Sequence, residues 1–297
     1  MDDRLVRIGR LAAVSQGLER EGAYNGAKLL RALMESELAR HAAVEAPSGM
    51  SAAGAALDDL LAEMGDHIPA AVAALLPTVA DHVRAGRTIP LDDAPRAHVC
   101  RACGEVFLGE LPERCPVCEA PPLSYKELLP IWYLEPVEPQ ALLQALEASR
   151  LQVLAAVDSR SDDALAAQPA PGEWSVRQAL EHMLFAEGLF AERIGRLIEE
   201  DQPNLASRAV WAETPTSDEG SADTDLGASQ LAAEISALRS ATIARLAGLS
   251  ADGWQRRGWH PEWGGVTVQT QASYFGRHMA SHMAQLAAAA EGRLAGR

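Results

Sequence analysis

The segment His278-Met279-Ala280-Ser281-His282 sets two imidazoles four residues apart in an alanine-rich stretch. Residues at i and i+4 share a helix face, so both rings can reach one point beside the helix, and the pair is a ready chelate for a divalent metal. By itself the pair is a weak signal, because histidines on such a helix also serve as plain core or surface residues. Helical patterning continues on both sides of it. Helices are expected at about 138–157, 175–200, 228–247 and 267–294, with Ser175 after Trp174 as the opening signal of the second. Asp201 to Gly227 is rich in Pro, Ser, Asp and Gly and reads as a long loop.

The first 95 residues also read as helices. Leu5, Ile8, Leu11 and Leu18 form one apolar stripe, and Leu29, Leu33 and Leu38 a second. Ala56, Leu57, Leu60, Leu61 and Met64 make a third, and Val72, Leu75, Leu76, Val79 and Val83 a fourth. Gly86 and Pro90 close this region. It is expected to be an apolar bundle with Glu and His on its surface, serving as a dimerisation unit. The chain is expected to divide at 1–95, 96–129 and 130–297.

The central part carries all four cysteines of the chain, in two pairs: Cys100-Arg101-Ala102-Cys103 and Cys115-Pro116-Val117-Cys118. Each pair offers two sulfurs to one metal, and the eleven residues between them let the chain fold back to close a tetrahedral thiolate site. Two disulfides would need an oxidising compartment, and the acidic opening Met1-Asp2-Asp3-Arg4 lacks the apolar core of a signal peptide. Gly104 stands where a metal knuckle needs positive φ, and Pro116 fixes φ inside the second turn. His98 to about Leu128 resembles the rubredoxin-like domain of rubrerythrins, with Cys-x-x-Cys-Gly, then Cys-Pro-x-Cys-x-Ala-Pro and the aromatic Tyr125. The resemblance covers about a tenth of the chain and implies one iron, held by Cys100, Cys103, Cys115 and Cys118, that passes single electrons. Zinc in the same cage would be structural. Glu119 departs from the pattern, since Gly often stands there. Rubrerythrins also carry a di-iron bundle built on Glu-x-x-His. The nearest patterns here, Glu37…His41 and Glu63…His67, have the wrong interval, and no di-iron centre is expected.

Two further blocks lie in the C-terminal half. Pro171-Gly-Glu-Trp174-Ser175-Val176-Arg177-Gln178-Ala-Leu-Glu-His182 and His260-Pro261-Glu262-Trp263-Gly264-Gly265-Val266-Thr267-Val268, which leads to the histidine pair, resemble two segments of DinB-like four-helix bundles, in that family's order. The resemblance spans about 137–294 and implies that His182, His278 and His282 bind one metal ion. Three neutral imidazoles leave an open position, which a catalytic metal needs. Zinc, nickel and ferrous iron all suit the donors. His260 is a candidate acid–base group near that ion. Glu187, five residues beyond His182, turns off the ligand face and is expected in solvent. Trp174 and Trp263 read as core or pocket wall.

Composition bounds the rest. With 297 residues, 48% apolar and only 5% aromatic, the chain suits packed helices in two or three domains, and the fold class is mainly α. A net charge of −15 with no Lys/Arg cluster disfavours nucleic acid. No stretch reaches the ~18 apolar residues of a membrane span. Ile68 to Ala80 is short and interrupted by Pro69 and Pro77. A cytoplasmic homodimer is expected. Three functions fit: a metal-dependent thiol transferase or hydrolase acting with a low-molecular-weight thiol or water on an electrophilic small molecule; an electron-transfer protein of oxidative stress with a redox partner protein; and a non-catalytic metal-binding regulatory module.

Overall fold

The computed structural model describes residues 3–47, 50–64, 68–87, 89, 95–121, 124–170, 173–205 and 225–291. The chain is mainly helical: α1 (Asp3–Arg20), α2 (Tyr24–Glu45), α3 (Met50–Met64), α4 (Ala70–Arg84), α5 (Pro139–Val157), α6 (Asp162–Ala166), α7 (Val176–Glu199), α8 (Ala228–Ala247), α9 (Ala251–Trp254) and α10 (Val268–Ala290). Three short strands, β1 (Ala97–Cys100), β2 (Val106–Leu108) and β3 (Tyr125–Leu128), lie between α4 and α5, and β4 (Arg257–His260) and β5 (Gly264–Thr267) precede α10. Among the described residues no helix is long and apolar enough to cross a membrane. Two compact units result: Met1–His67 with Val83–Gly86, and Ile68–His82 with Arg87–Arg297.

In the first unit α1 and α2 form a hairpin whose seam is closed by small residues. The Ser15 hydroxyl donates to the Ala27 carbonyl at 2.9 Å, and both residues are buried. Arg31 pairs with Glu19 across the hairpin, and Arg84 with Asp58 of α3. The α2 stripe expected to join a core lies in solvent, with Leu29, Leu33 and Leu38 all exposed, while the α1 stripe is half-buried at Ile8, Leu11 and Leu18 and exposed at Leu5. A two-helix hairpin has too little facing surface to cover a stripe on each helix. Pro90 and His67 lie outside the described residues.

In the second unit β1 is the centre of an antiparallel sheet, order β2-β1-β3, with His98 opposite Phe107 and Glu127, and Cys100 opposite Tyr125. The four long helices follow. α5 packs on α8 and α10, and α7 packs on the same two helices, so α5 and α7 occupy opposite corners of the bundle. The bounds expected from sequence agree with these helices to within four residues. Ser175 caps α7, accepting the Gln178 N–H while the Gln178 side chain accepts the Ser175 N–H. The β4–β5 hairpin and the single-turn helices α6 and α9 were not expected, being too short to show a period. Residues 206–224 of the long polar segment lie outside the described residues.

α10 is tied to α5 and to the segment before it. Gln269, Ser273 and Arg277, at intervals of four, bind the segment that leads into α5: Gln269 donates to the Val137 carbonyl at 2.8 Å, Ser273 accepts the Val137 N–H at 2.9 Å, and Arg277 donates to the carbonyls of Tyr133 and Glu135. The core side is tight. A Cβ on Gly276 would meet Leu142 Cδ1 at 2.6 Å, so any larger residue there would have to push that methyl aside.

At the centre sits an ion pair that contradicts the solvent position expected for Glu187. Glu187 of α7 and Arg239 of α8 are both fully buried, with Arg239 Nη2 2.7 Å and Nε 3.1 Å from Glu187 Oε2. Arg239 also donates to Ser149 of α5 at 2.9 Å and lies 5.8 Å from the Phe275 ring of α10. Turning off the ligand face thus carried Glu187 toward α8, not outward. Truncating one member of such a pair strands the other charge in a dry core. Glu187→Ala should therefore lower stability by about 3–5 kcal/mol, while Glu187→Leu with Arg239→Met should recover most of it, as read from denaturant midpoints.

Candidate metal centres

The two Cys-x-x-Cys turns are near copies of each other. Cys100 N–H donates to the Glu105 carbonyl and Gly104 N–H to the Cys100 carbonyl, both at 2.8 Å. In the second turn Cys115 N–H donates to Ala120 at 2.9 Å and Glu119 N–H to Cys115 at 2.8 Å. Gly104 has φ +86° and Glu119 φ +61°, so Glu119 occupies the left-handed position that suits glycine. Backbone N–H groups then aim at sulfur: those of Cys103 and Ala102 at Cys100, that of Glu105 at Cys103 and that of Ala120 at Cys118. Burial pushes the Cys100 thiol up, but these donors and the neighbouring thiols of Cys103 and Cys118 bring it down to about 7.

All four thiols are free. Cys100 Sγ lies 3.7 Å from Cys118 Sγ and Cys103 Sγ 3.6 Å from Cys115 Sγ, and the four sulfurs stand within 4.8 Å of one another. A disulfide would need about 2 Å, whereas a tetrahedron of 2.3 Å metal–sulfur bonds has edges of about 3.8 Å. The cluster fits a four-thiolate metal. Cys100 and Cys115 are buried, and Cys103 and Cys118 exposed.

The second cluster joins α7 to α10. His182, His278 and His282 each place a ring nitrogen within 4.8 Å of the others. His278 Nε2 and His282 Nε2 are 3.3 Å apart, close to the edge of about 3.3 Å that a tetrahedron of 2.0–2.1 Å metal–nitrogen bonds requires. His282 Nδ1 faces Gln285 Oε1 at 3.3 Å, which places the proton on Nδ1 and leaves Nε2 as the donor to a metal. His182 and His278 are buried and His282 half-buried, so one side of the cluster opens outward. Trp174 stacks parallel to His282 and packs on His182, standing beside the cluster as a wall.

His260 lies elsewhere. It ends β4, is buried, and stacks on Trp263 with ring centres 3.8 Å apart. Its Nδ1 accepts the N–H groups of Glu262 and Trp263, both at 3.3 Å. Burial and then the Arg193 charge hold it down at about 3. Trp263 packs on Tyr274, and Tyr274 stacks on His278, so two rings stand between His260 and the three-histidine cluster. Arg193 and Tyr274 were missed by the sequence reading. The signal for Arg193 is its spacing, eleven residues or three turns after His182 and so on the same face of α7.

Residues 145–286, which include all three clustered histidines, match the family model of the DinB superfamily. The C-terminal half therefore carries a DinB-like domain. The uncharacterized protein YuaE of Bacillus subtilis (strain 168) is 27% identical over 147 residues, spanning 46% of this chain and 90% of that protein. The solved structure of YfiT from Bacillus subtilis, described as a probable metal-dependent hydrolase with an unusual four-helix bundle topology, is 22% identical at a TM-score of 0.43 and covers 55% of this chain and 95% of its own.

Two expectations follow from these geometries. Glu119→Gly relieves a left-handed residue at the second knuckle, against the entropy of a freer unfolded chain. A net gain of about 0.5–1 kcal/mol is expected in thermal unfolding of the metal-loaded protein. For His260, the folded value near 3 lies below the ordinary 6.5, so between them the unfolded chain binds a proton that the folded one does not. Its contribution is intact above pH 6.5 and lost as pH falls toward 3, by about 1.4 kcal/mol per pH unit. His260→Gln should flatten stability across that window.

Proposed function

We propose that this chain is a metal-dependent enzyme whose chemistry resides in the DinB-like domain, at His182, His278 and His282. The observation that carries the reading is the paired Nε2 atoms at 3.3 Å with an outward-facing third side. Three imidazole donors hold an ion while leaving it open, unlike the closed four-thiolate cluster. A divalent ion there would supply a Lewis acid that acidifies water or a small thiol at neutral pH. The side chains do the rest. Gln285 fixes the His282 tautomer, Trp174 limits access by water, and His260, too weak a base to hold a proton at neutral pH, is assigned the part of a neutral hydrogen-bond donor. The reaction class is attack of that thiol or water on an electrophilic small molecule, a thiol transfer or a hydrolysis. Zinc, nickel and ferrous iron remain the candidate ions.

A second reading concerns the cysteine module, for which a rubredoxin-like role is proposed. Cys103 and Cys118 are exposed while their partners are buried, so one edge of the cage meets solvent, where a redox partner protein can approach. Iron in the cage would supply a one-electron centre, and zinc would supply structure alone.

The test is elemental analysis and a visible spectrum of anaerobically purified protein beside its His278→Ala variant. Two metals per chain are expected, falling to one in the variant, with the thiolate spectrum unchanged. Unchanged metal content in the variant would refute the three-histidine centre. A red colour bleached by dithionite would support the electron-transfer reading, and colourless zinc protein would retire it.

A further inference from the structure

Buried polar groups without partners mark places where something else is meant to bind. His260 is one. Only 5% of it is exposed, and because Nδ1 accepts two backbone N–H groups, the ring proton must sit on Nε2. That Nε2–H is buried and has no acceptor among the described residues. Gln271 is another. It is fully buried on α10, and neither its amide oxygen nor its amide nitrogen has a partner among the described residues. Gln271 stands seven residues, two turns, before His278 and so on the same helix face. Leaving such groups unmet in a dry interior destabilises the fold, and both the β4–β5 hairpin and α10 carry that cost.

The surroundings give the missing partner a sign. The Arg193 guanidinium lies 5.7 Å from the centre of the Trp263 ring, whose face is also stacked on His260. The Arg193 charge acts on His260, so the two donors share one neighbourhood. From there rings lead back toward the cluster: His260 to Trp263 at 3.8 Å, Trp263 to Tyr274 at 4.5 Å, and Tyr274, nearly parallel, to His278 at 6.1 Å. A neutral N–H donor beside a cation, on an aromatic wall, is the chemistry that receives a carboxylate.

We propose that Arg193 and His260 form a subsite for the carboxylate of a small molecule whose other end reaches the three-histidine ion along the Trp263–Tyr274 wall. Gln271 supplies a further hydrogen bond on the way. This inference rests on the three-histidine ion proposed above, and it narrows the substrate class to compounds with a carboxylate set apart from the reacting atom. His260 and Arg193 are then positioning residues that select substrate by charge.

The test uses zinc-loaded full-length protein and isothermal titration calorimetry with ω-mercapto carboxylic acids of three to six carbons, each beside the mercapto alcohol of equal length. Both share a thiol that can bind zinc, so the alcohol reports the ion and the difference reports the subsite. At the best-fitting length the acid should bind about tenfold tighter than the alcohol. In Arg193→Met, and separately in His260→Phe, that ratio should fall to about one, with an unchanged helical circular dichroism spectrum showing that the variants are folded. Equal binding of acid and alcohol, or a ratio unmoved in both variants, would overturn the subsite and mean that water alone meets these donors. If neither thiol binds and His278→Ala changes nothing, the three-histidine reading falls and this one with it.

Discussion

One guanidinium organises the bundle. Arg239 reaches Glu187, Ser149 and the face of Phe275, so a single side chain of α8 touches α7, α5 and α10. Burial raises the Glu187 carboxyl, and the Arg239 charge and hydrogen bonds beside it offset only part of that rise. Such a pair tolerates little sliding, since a shift of one helical step would leave both charges dry and unpaired. Apolar side chains around it would accept several registers, because dispersion and burial have no direction. The pair therefore sets the axial position of α7 against the other three helices.

That register matters because the three histidines come from two helices. His278 and His282 are paired by helical period alone, whereas His182 must arrive from α7. Gly276 lets α10 press on α5, and the bonds from Gln269, Ser273 and Arg277 tie the same side of α10 to the segment that leads into α5. Between these constraints α10 has one rotation that points its histidines at His182. The cluster is a product of packing in the bundle core.

The cysteine cluster follows another logic. Its two turns are set by hydrogen bonds within five residues of each cysteine, and their backbone N–H groups aim at sulfur without help from the bundle. A module with few apolar residues to bury would gain stability from a metal held by its four thiols. Glu119 shows how firmly the turn is specified, since it takes a left-handed conformation that glycine would adopt without strain.

From the sequence itself came the long helices of the bundle, the cap at Ser175, the pairing of His278 with His282 and the two knuckles. All of these depend on period, capping or short-range spacing, which a linear chain displays directly. The wrong expectation for Glu187 and the missed Arg193 share a cause. Helical period says that a residue turns away from one face, but it does not say whether another helix waits on the other side. For Glu187 that helix was α8, whereas Leu29, Leu33 and Leu38 of the α2 stripe stay exposed. His260 was legible as a candidate by its neighbours in the chain, but its burial, its tautomer and the rings between it and His278 depend on a hairpin too short to leave a pattern. Local geometry was therefore determined by the sequence alone. Which helix faces meet, which charges are buried and which donors go unmet was decided in three dimensions, because burial is a property of contacts between segments far apart in the chain.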